Sequence, residues 1–87
     1  MIQKFVDVHP NSNIGEGTII CNFVTIEEDV VIGGNCWIGS GAVIMNGARI
    51  GNNVRVFPGA VISAVPQDLK FDGEASNVEI GDNTTIR

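Results

Sequence analysis

The sequence predicts an all-β chain in which short parallel strands wind as a triangular prism. Three observations carry this reading. An aliphatic residue stands at every sixth position from Val8 through Ile14, Ile20, Ile26, Ile32, Ile38, Ile44, Ile50 and Val56 to Ile62, and Ile80 and Ile86 keep the same phase. Four residues after an aliphatic comes a small or medium one: Ser12, Thr18, Val24, Val30, Cys36, Ala42, Ala48, Val54 and Ala60. Three residues after it stand Asn11, Gly17, Asp29, Asn35, Gly41, Gly47, Asn53, Gly59 and Asn83. These types tolerate the left-handed backbone of a tight corner.

A period of six suits neither an amphipathic helix nor a long alternating strand. It describes a short strand followed by a turn, repeated. Three such units close a triangle, so three hexads make one coil. Each strand then pairs in parallel with the one a full coil later, and the aliphatic and small positions fill the interior. Glycine often follows the aliphatic residue directly, as at Gly15, Gly33, Gly39, Gly51 and Gly81.

The elements follow in order from Val8 to Ile62, one strand per aliphatic position. The segment VPQDLKFDGE, residues 65–74, then breaks the beat. Two hexads lose their aliphatic residue, and the positions due for one hold Asp68 and Glu74. Ile62 and Ile80 are three hexads apart, the length of one coil, so the phase survives the interruption. Unpaired charge is too costly inside a narrow apolar prism, and Pro66 removes a strand donor. The segment near 65–77 is therefore expected outside the prism as a loop, with re-entry near Val78.

Composition bounds the function. A chain of 87 residues makes a single domain, here about four coils over residues 1–87. Hydrophobic residues at 44% and charged ones at 17% describe a globular chain. A net charge of −5, with Lys4, Arg49, Arg55, Lys70 and Arg87 scattered, argues against nucleic acid. The charge-free run from Val30 to Ala48 contains eight Gly, Asn or Ser residues and keeps the hexad beat, so it is not a membrane span. With no signal-peptide pattern at the N-terminus, a cytoplasmic protein without stable membrane insertion is expected.

Cys21 and Cys36 occupy different positions within the hexad, which argues against a disulfide and for ordinary packing. No metal site follows from two cysteines and one histidine at these spacings, and no cofactor is implied. His9, the sole histidine, lies in the first turn, where a polar surface role outweighs that of a general base. Ile19, Trp37 and Arg55 form a ladder at one-coil spacing that faces either solvent or a neighbouring subunit. Gln67, Asp68 and Lys70 place an amide, a carboxylate and an ammonium close together in sequence, a set suited to sugar hydroxyls and to a phosphate or carbonyl.

The hexads resemble the hexapeptide-repeat left-handed parallel β-helix, three repeats per coil, whose handedness is taken from that resemblance. Closer still, Met1-Ile2, Val8-His9-Pro10, QDLKFDGE, Val78–Asp82 and Ile86-Arg87 are similar to the N-terminal part of the UDP-N-acetylglucosamine O-acyltransferases. Val65-Pro66 departs slightly from that pattern. The resemblance implies transfer of a 3-hydroxyacyl chain from acyl carrier protein to the glucosamine 3-hydroxyl of the UDP-sugar, the first step of lipid A biosynthesis. It also implies a homotrimer with active sites between prisms. Asp68 would then bond sugar hydroxyls, Gln67 shape that pocket and Lys70 line the substrate cleft. The family's catalytic histidine belongs to a coil beyond this segment, so no catalytic residue is assigned here. The chain is accordingly expected to be an inactive N-terminal fragment, short of later coils and a C-terminal helical domain. The alternatives are another hexapeptide-repeat sugar N-acyl- or acetyltransferase, and a non-catalytic trimerisation or scaffold module.

Overall fold

The computed structural model describes residues 5–63 and 78–87. Within them the chain forms twelve short strands in three parallel sheets, four strands to a sheet. Face one holds β1 (Asp7–Val8), β4 (Thr25–Ile26), β7 (Val43–Ile44) and β10 (Val61–Ile62). Face two holds β2 (Asn13–Ile14), β5 (Val31–Ile32), β8 (Ala48–Ile50) and β11 (Val78–Ile80). Face three holds β3 (Ile19–Ile20), β6 (Trp37–Ile38), β9 (Arg55–Val56) and β12 (Thr85–Ile86). Successive strands visit the faces in strict rotation, which is the triangular winding that the six-residue period demands.

The register shows why the period must be kept. Asp7 pairs with Thr25, Asn13 with Val31 and Ile19 with Trp37, each across three hexads. A two-residue strand points one side chain in and one out. The last residue of each strand is the hexad aliphatic, and Ile20, Ile26, Ile32, Ile38 and Ile44 stack in the interior at 2% exposure or less. Withdrawing each from water contributes about 2 kcal/mol. The small positions line the corners of the same core: Val24, Val30, Cys36, Ala42, Ala48, Val54 and Ala60 are buried. Thr18 joins them because its hydroxyl is satisfied. It donates to the Gly33 carbonyl at 2.7 Å and accepts from the Cys36 amide at 3.1 Å. Cys36 is buried, Cys21 is half-buried, and both thiols are free.

The corners also follow the sequence, with instructive exceptions. Gly17, Asn35, Gly41, Gly47, Asn53, Gly59 and Asn83 all have positive φ. Asn11 and Asp29, expected in the same conformation, do not, because other hydrogen bonds hold their corners. The Asn11 amide donates to His9 Nδ1 at 3.1 Å. The Asp29 carbonyl accepts from the Gly47 amide at 2.7 Å and from Arg49 Nη1 at 2.8 Å. Conversely, Phe5 and Phe23 adopt φ of 58° and 62°, where a bulky side chain is an outlier.

One spacing departs from the sequence expectation. β11 pairs with β8 and β12 with β9 across five hexads rather than three, Ile80 lying over Ile50 and Ile86 over Val56. Ile80 therefore occupies the face after that of Ile62, rather than the same face one coil on. The interruption amounts to two hexads and not a whole coil. Any insertion that is a multiple of six keeps the aliphatic phase, so phase alone could not distinguish the two.

Candidate functional site

The interruption enters the prism at a definite place. β10 ends at Ile62 on face one and β11 begins at Val78 on face two, so both ends are anchored at the corner between those faces. The anchor is broader than elsewhere. β8 and β11 pair over three residues, Val78 with Ala48, Glu79 with Arg49 and Ile80 with Ile50, and the Val78 amide donates to the Gly47 carbonyl at 3.0 Å.

Beside this anchor, face two carries a shallow concavity of about 390 Å³, lined by Val31, Arg49, Glu79 and the turn after Ile80. Its cation is already engaged. Arg49 Nη2 lies 2.8 Å from Asp29 Oδ1, and Nη1 donates to the Asp29 and Ala48 carbonyls at 2.8 and 3.1 Å. The guanidinium thus clips two coils at this corner. Sequence reading noted Arg49 and Asp29 separately but missed the pair. Their separation, slightly more than one coil, was the available signal.

The predicted site residues Gln67, Asp68 and Lys70 lie outside the described residues, as does the expected external loop. His9 is described and lies at the other end of face one. β1 and β10 are the two edges of that sheet, three strand spacings or about 14 Å apart. That distance is far beyond the reach of a general base acting at the anchor. The His9 imidazole is instead tied into its own turn by the Asn11 amide, and its carbonyl accepts from the amide and hydroxyl of Ser12 at 3.0 and 2.7 Å.

A second concavity of about 300 Å³ surrounds His9, with Asp7, Thr25, Glu27, Glu28 and Asn46. Its polar groups are largely spent on the scaffold. Glu27 Oε1 accepts from the Asn46 amide at 3.0 Å, and Asn46 Oδ1 accepts from the Glu28 amide at 2.9 Å. Among the described residues no carboxylate bonds the imidazole, so the arrangement lacks the orienting partner that base catalysis uses.

Comparison with known proteins accounts for both the repeat and its interruption. Residues 29–64 match the bacterial transferase hexapeptide family (six repeats). An acyl-[acyl-carrier-protein]–UDP-N-acetylglucosamine O-acyltransferase from Campylobacter lari is 38% identical over 92% of this chain and 33% of its own length. The corresponding protein of Chlorobaculum parvum is 42% identical, with the same two coverages of 92% and 33%. Among solved structures, a UDP-N-acetylglucosamine acyltransferase from Bacteroides fragilis superposes with a TM-score of 0.91 at 52% identity, covering 100% of this chain and 34% of that one. Its Francisella novicida counterpart gives 0.90 at 39% identity, covering 99% and 32%. This likeness makes the winding left-handed. The chain spans about a third of the length of the relatives it matches. The alignable length runs through the interruption as well as the hexads, and on that ground the chain is similar to the N-terminal third of the UDP-N-acetylglucosamine O-acyltransferases and shares the bacterial transferase hexapeptide repeat over residues 29–64.

Proposed function

We propose that these residues form the first part of an acyltransferase that moves a 3-hydroxyacyl chain from acyl carrier protein to the 3-hydroxyl of UDP-N-acetylglucosamine, in lipid A synthesis. The observation that supports this most is the match over nearly the whole chain, interruption included, to relatives named as acyl-[acyl-carrier-protein]–UDP-N-acetylglucosamine O-acyltransferases. Hexads alone are shared by many activities. QDLKFDGE is the part that points to a substrate.

In this reading the segment between β10 and β11 offers Asp68 to sugar hydroxyls, Gln67 to the wall of the same pocket and Lys70 to the substrate cleft. A carboxylate suits a diol because it accepts from two hydroxyls, and an ammonium suits a phosphate or thioester carbonyl. The enzyme works in the cytoplasm as a homotrimer, with each cleft shared between prisms, and requires no cofactor. The base that deprotonates the 3-hydroxyl comes from a histidine outside this segment, since His9 sits at the wrong end of face one. For the same reason the isolated segment is expected to be inactive.

Asp68→Ala and Lys70→Ala in the full natural protein should each lower kcat/KM by about a hundredfold. Unchanged values in both would reject the site assignment. Turnover of UDP-3-acyl-glucosamine in preference to UDP-N-acetylglucosamine would instead favour an N-acyltransferase on the same scaffold. Absence of a usable base among the described residues favours a scaffold role for the isolated segment, and acyl transfer by that segment alone would overturn it.

A further inference from the structure

Asn46 and Gly47 form the single Asn-Gly pair in the chain. Such a pair is chemically labile in an unfolded chain, because glycine has no side chain to shield its amide nitrogen from the asparagine carboxamide. The pair lies at the corner between faces one and two, after β7 and before β8. Asn46 is exposed to water and Gly47 is buried. Both reacting groups are already engaged. Asn46 Oδ1 accepts from the Glu28 amide at 2.9 Å and from the Asp29 amide at 3.4 Å, in the preceding coil. The Gly47 amide, whose nitrogen would be the nucleophile, donates to the Asp29 carbonyl at 2.7 Å.

The carboxamide is one of a set. Asn46 stands two residues after Ile44, in the slot that Asn52 fills after Ile50 and Asp82 after Ile80. Each of these side chains accepts the amide of the residue in the same slot of the preceding coil: Glu28, Gly34 and Asn52. Asp82 fills the role as a carboxylate, so the latch requires an acceptor oxygen and not an amide group. The main chain that follows is less forgiving. β8 pairs with β5 through Arg49 and Ile50 and with β11 through Ala48, Arg49 and Ile50. One extra main-chain atom before β8 would carry Ala48 and Ile50 away from their buried positions.

We propose that Asn46–Gly47 is a site of spontaneous deamidation, that the hydrogen bonds clipping this corner hold Asn46 back from attack by Gly47, and that the site reacts when the corner opens. In that reaction the Gly47 nitrogen loses its proton and bonds to Asn46 Cγ, and ammonia leaves, closing a five-membered imide. Water then splits one of the two bonds that join the Gly47 nitrogen to the imide carbonyls. Cleavage at Cγ gives aspartate at position 46 with the main chain unchanged. Cleavage at the main-chain carbonyl carbon gives isoaspartate, whose main chain runs through Cβ and Cγ and is longer by one carbon. Either product adds negative charge beside Glu27, whose Oε1 lies 3.0 Å from the Asn46 amide. The aspartate keeps its acceptor oxygen and latches as Asp82 does. The isoaspartate breaks the count on which β8 depends.

The test incubates the full natural chain at mildly alkaline pH, folded or in guanidinium chloride, and follows loss of the Asn46 carboxamide by peptide mapping with mass spectrometry. The folded chain should lose it at least about tenfold more slowly than the unfolded one. Glu28→Pro removes the amide that holds Asn46 Oδ1, in a slot that Pro10 fills one coil earlier. Its β circular-dichroism spectrum should persist while the reaction in the folded chain speeds up about threefold or more. Glu27→Ala, which releases the Asn46 amide, should act in the same direction and covers the case in which proline at position 28 does not fold. Asn46→Asp should keep the wild-type unfolding midpoint, whereas the isoaspartate form, separated after ageing in denaturant and refolded, should have a lower one. Equal rates in the folded and unfolded chains would overturn the proposal, as would folded Glu28→Pro and Glu27→Ala chains that react like the wild type. Equal midpoints for the aspartate and isoaspartate forms would overturn the distinction between the two products.

Discussion

Two glycines on this prism are required for different reasons, and substitution separates them. A Cβ on Gly33 would stand 2.6 Å from the Gly51 carbonyl oxygen and 2.7 Å from its carbon, in the coil above. A Cβ on Gly59 would meet nothing within 4 Å, but Gly59 has φ of +78°. Gly33→Ala must therefore push two coils apart, at a cost of about 3 kcal/mol. Gly59→Ala bears only the left-handed backbone penalty, about 1 kcal/mol. Urea unfolding of both variants checks the order, and equal losses would contradict it. The sequence made the second glycine legible through its slot and the first through its place after an aliphatic. It did not reveal Phe5 and Phe23 in the slot of Gly41 and Gly59, because residue type predicts a left-handed corner only where type and geometry agree.

At the scale of the strand and its corner, side chains act as clips between successive coils. Asn52 Oδ1 accepts from the Gly34 amide at 2.8 Å, and Asp82 Oδ1 accepts from the Asn52 amide at 2.7 Å. Arg49 and Asp29 make the charged version beside β8. Their side chains are 33% and 54% exposed, so solvent and salt screen the pair strongly. Arg49→Met should cost less than about 1 kcal/mol of stability, and the difference from wild type should shrink in roughly 1 M salt. A loss of several kcal/mol that ignores salt would mean that the carbonyl contacts, rather than the ion pair, hold the corner. These clips escaped sequence reading for a simple reason. Their partners lie on neighbouring coils but at unequal spacing, 18 residues for Gly34 and Asn52 and 30 for Asn52 and Asp82, so no single spacing finds them all.

For the whole molecule, the hexad count specified the core completely within the described residues, since every buried isoleucine falls on the phase read from Val8. It specified the face of a strand only as far as the count was uninterrupted. The change of pairing distance from three hexads to five between β10 and β11 follows from an insertion that six-residue periodicity cannot see. Removing two hexads' length from within 64–77 should therefore return β11 to a one-coil register over β8. The fold should hold within about 1 kcal/mol by urea unfolding, and acyl transfer in the full natural protein should be abolished. Removing one and a half hexads should instead turn Ile80 and Ile86 out of phase and destabilise both strands. The candidate site was legible as the one place where the beat fails. The chemistry proposed for it rests on Gln67, Asp68 and Lys70, which stand outside the hexad pattern, and no periodicity constrains those.

The direction of the Asn52 and Asp82 clips has a consequence for how such a chain is made. In each, the side chain of the later coil receives the amide of the earlier one. On a ribosome the earlier corner emerges first, with its N–H still bonded to water, and is closed only when the following coil has been synthesised. At these two corners translation thus delivers the latch after the part it fastens, whereas the Glu27 carboxylate and the Thr18 hydroxyl are made first and wait for the amides of Asn46 and Cys36.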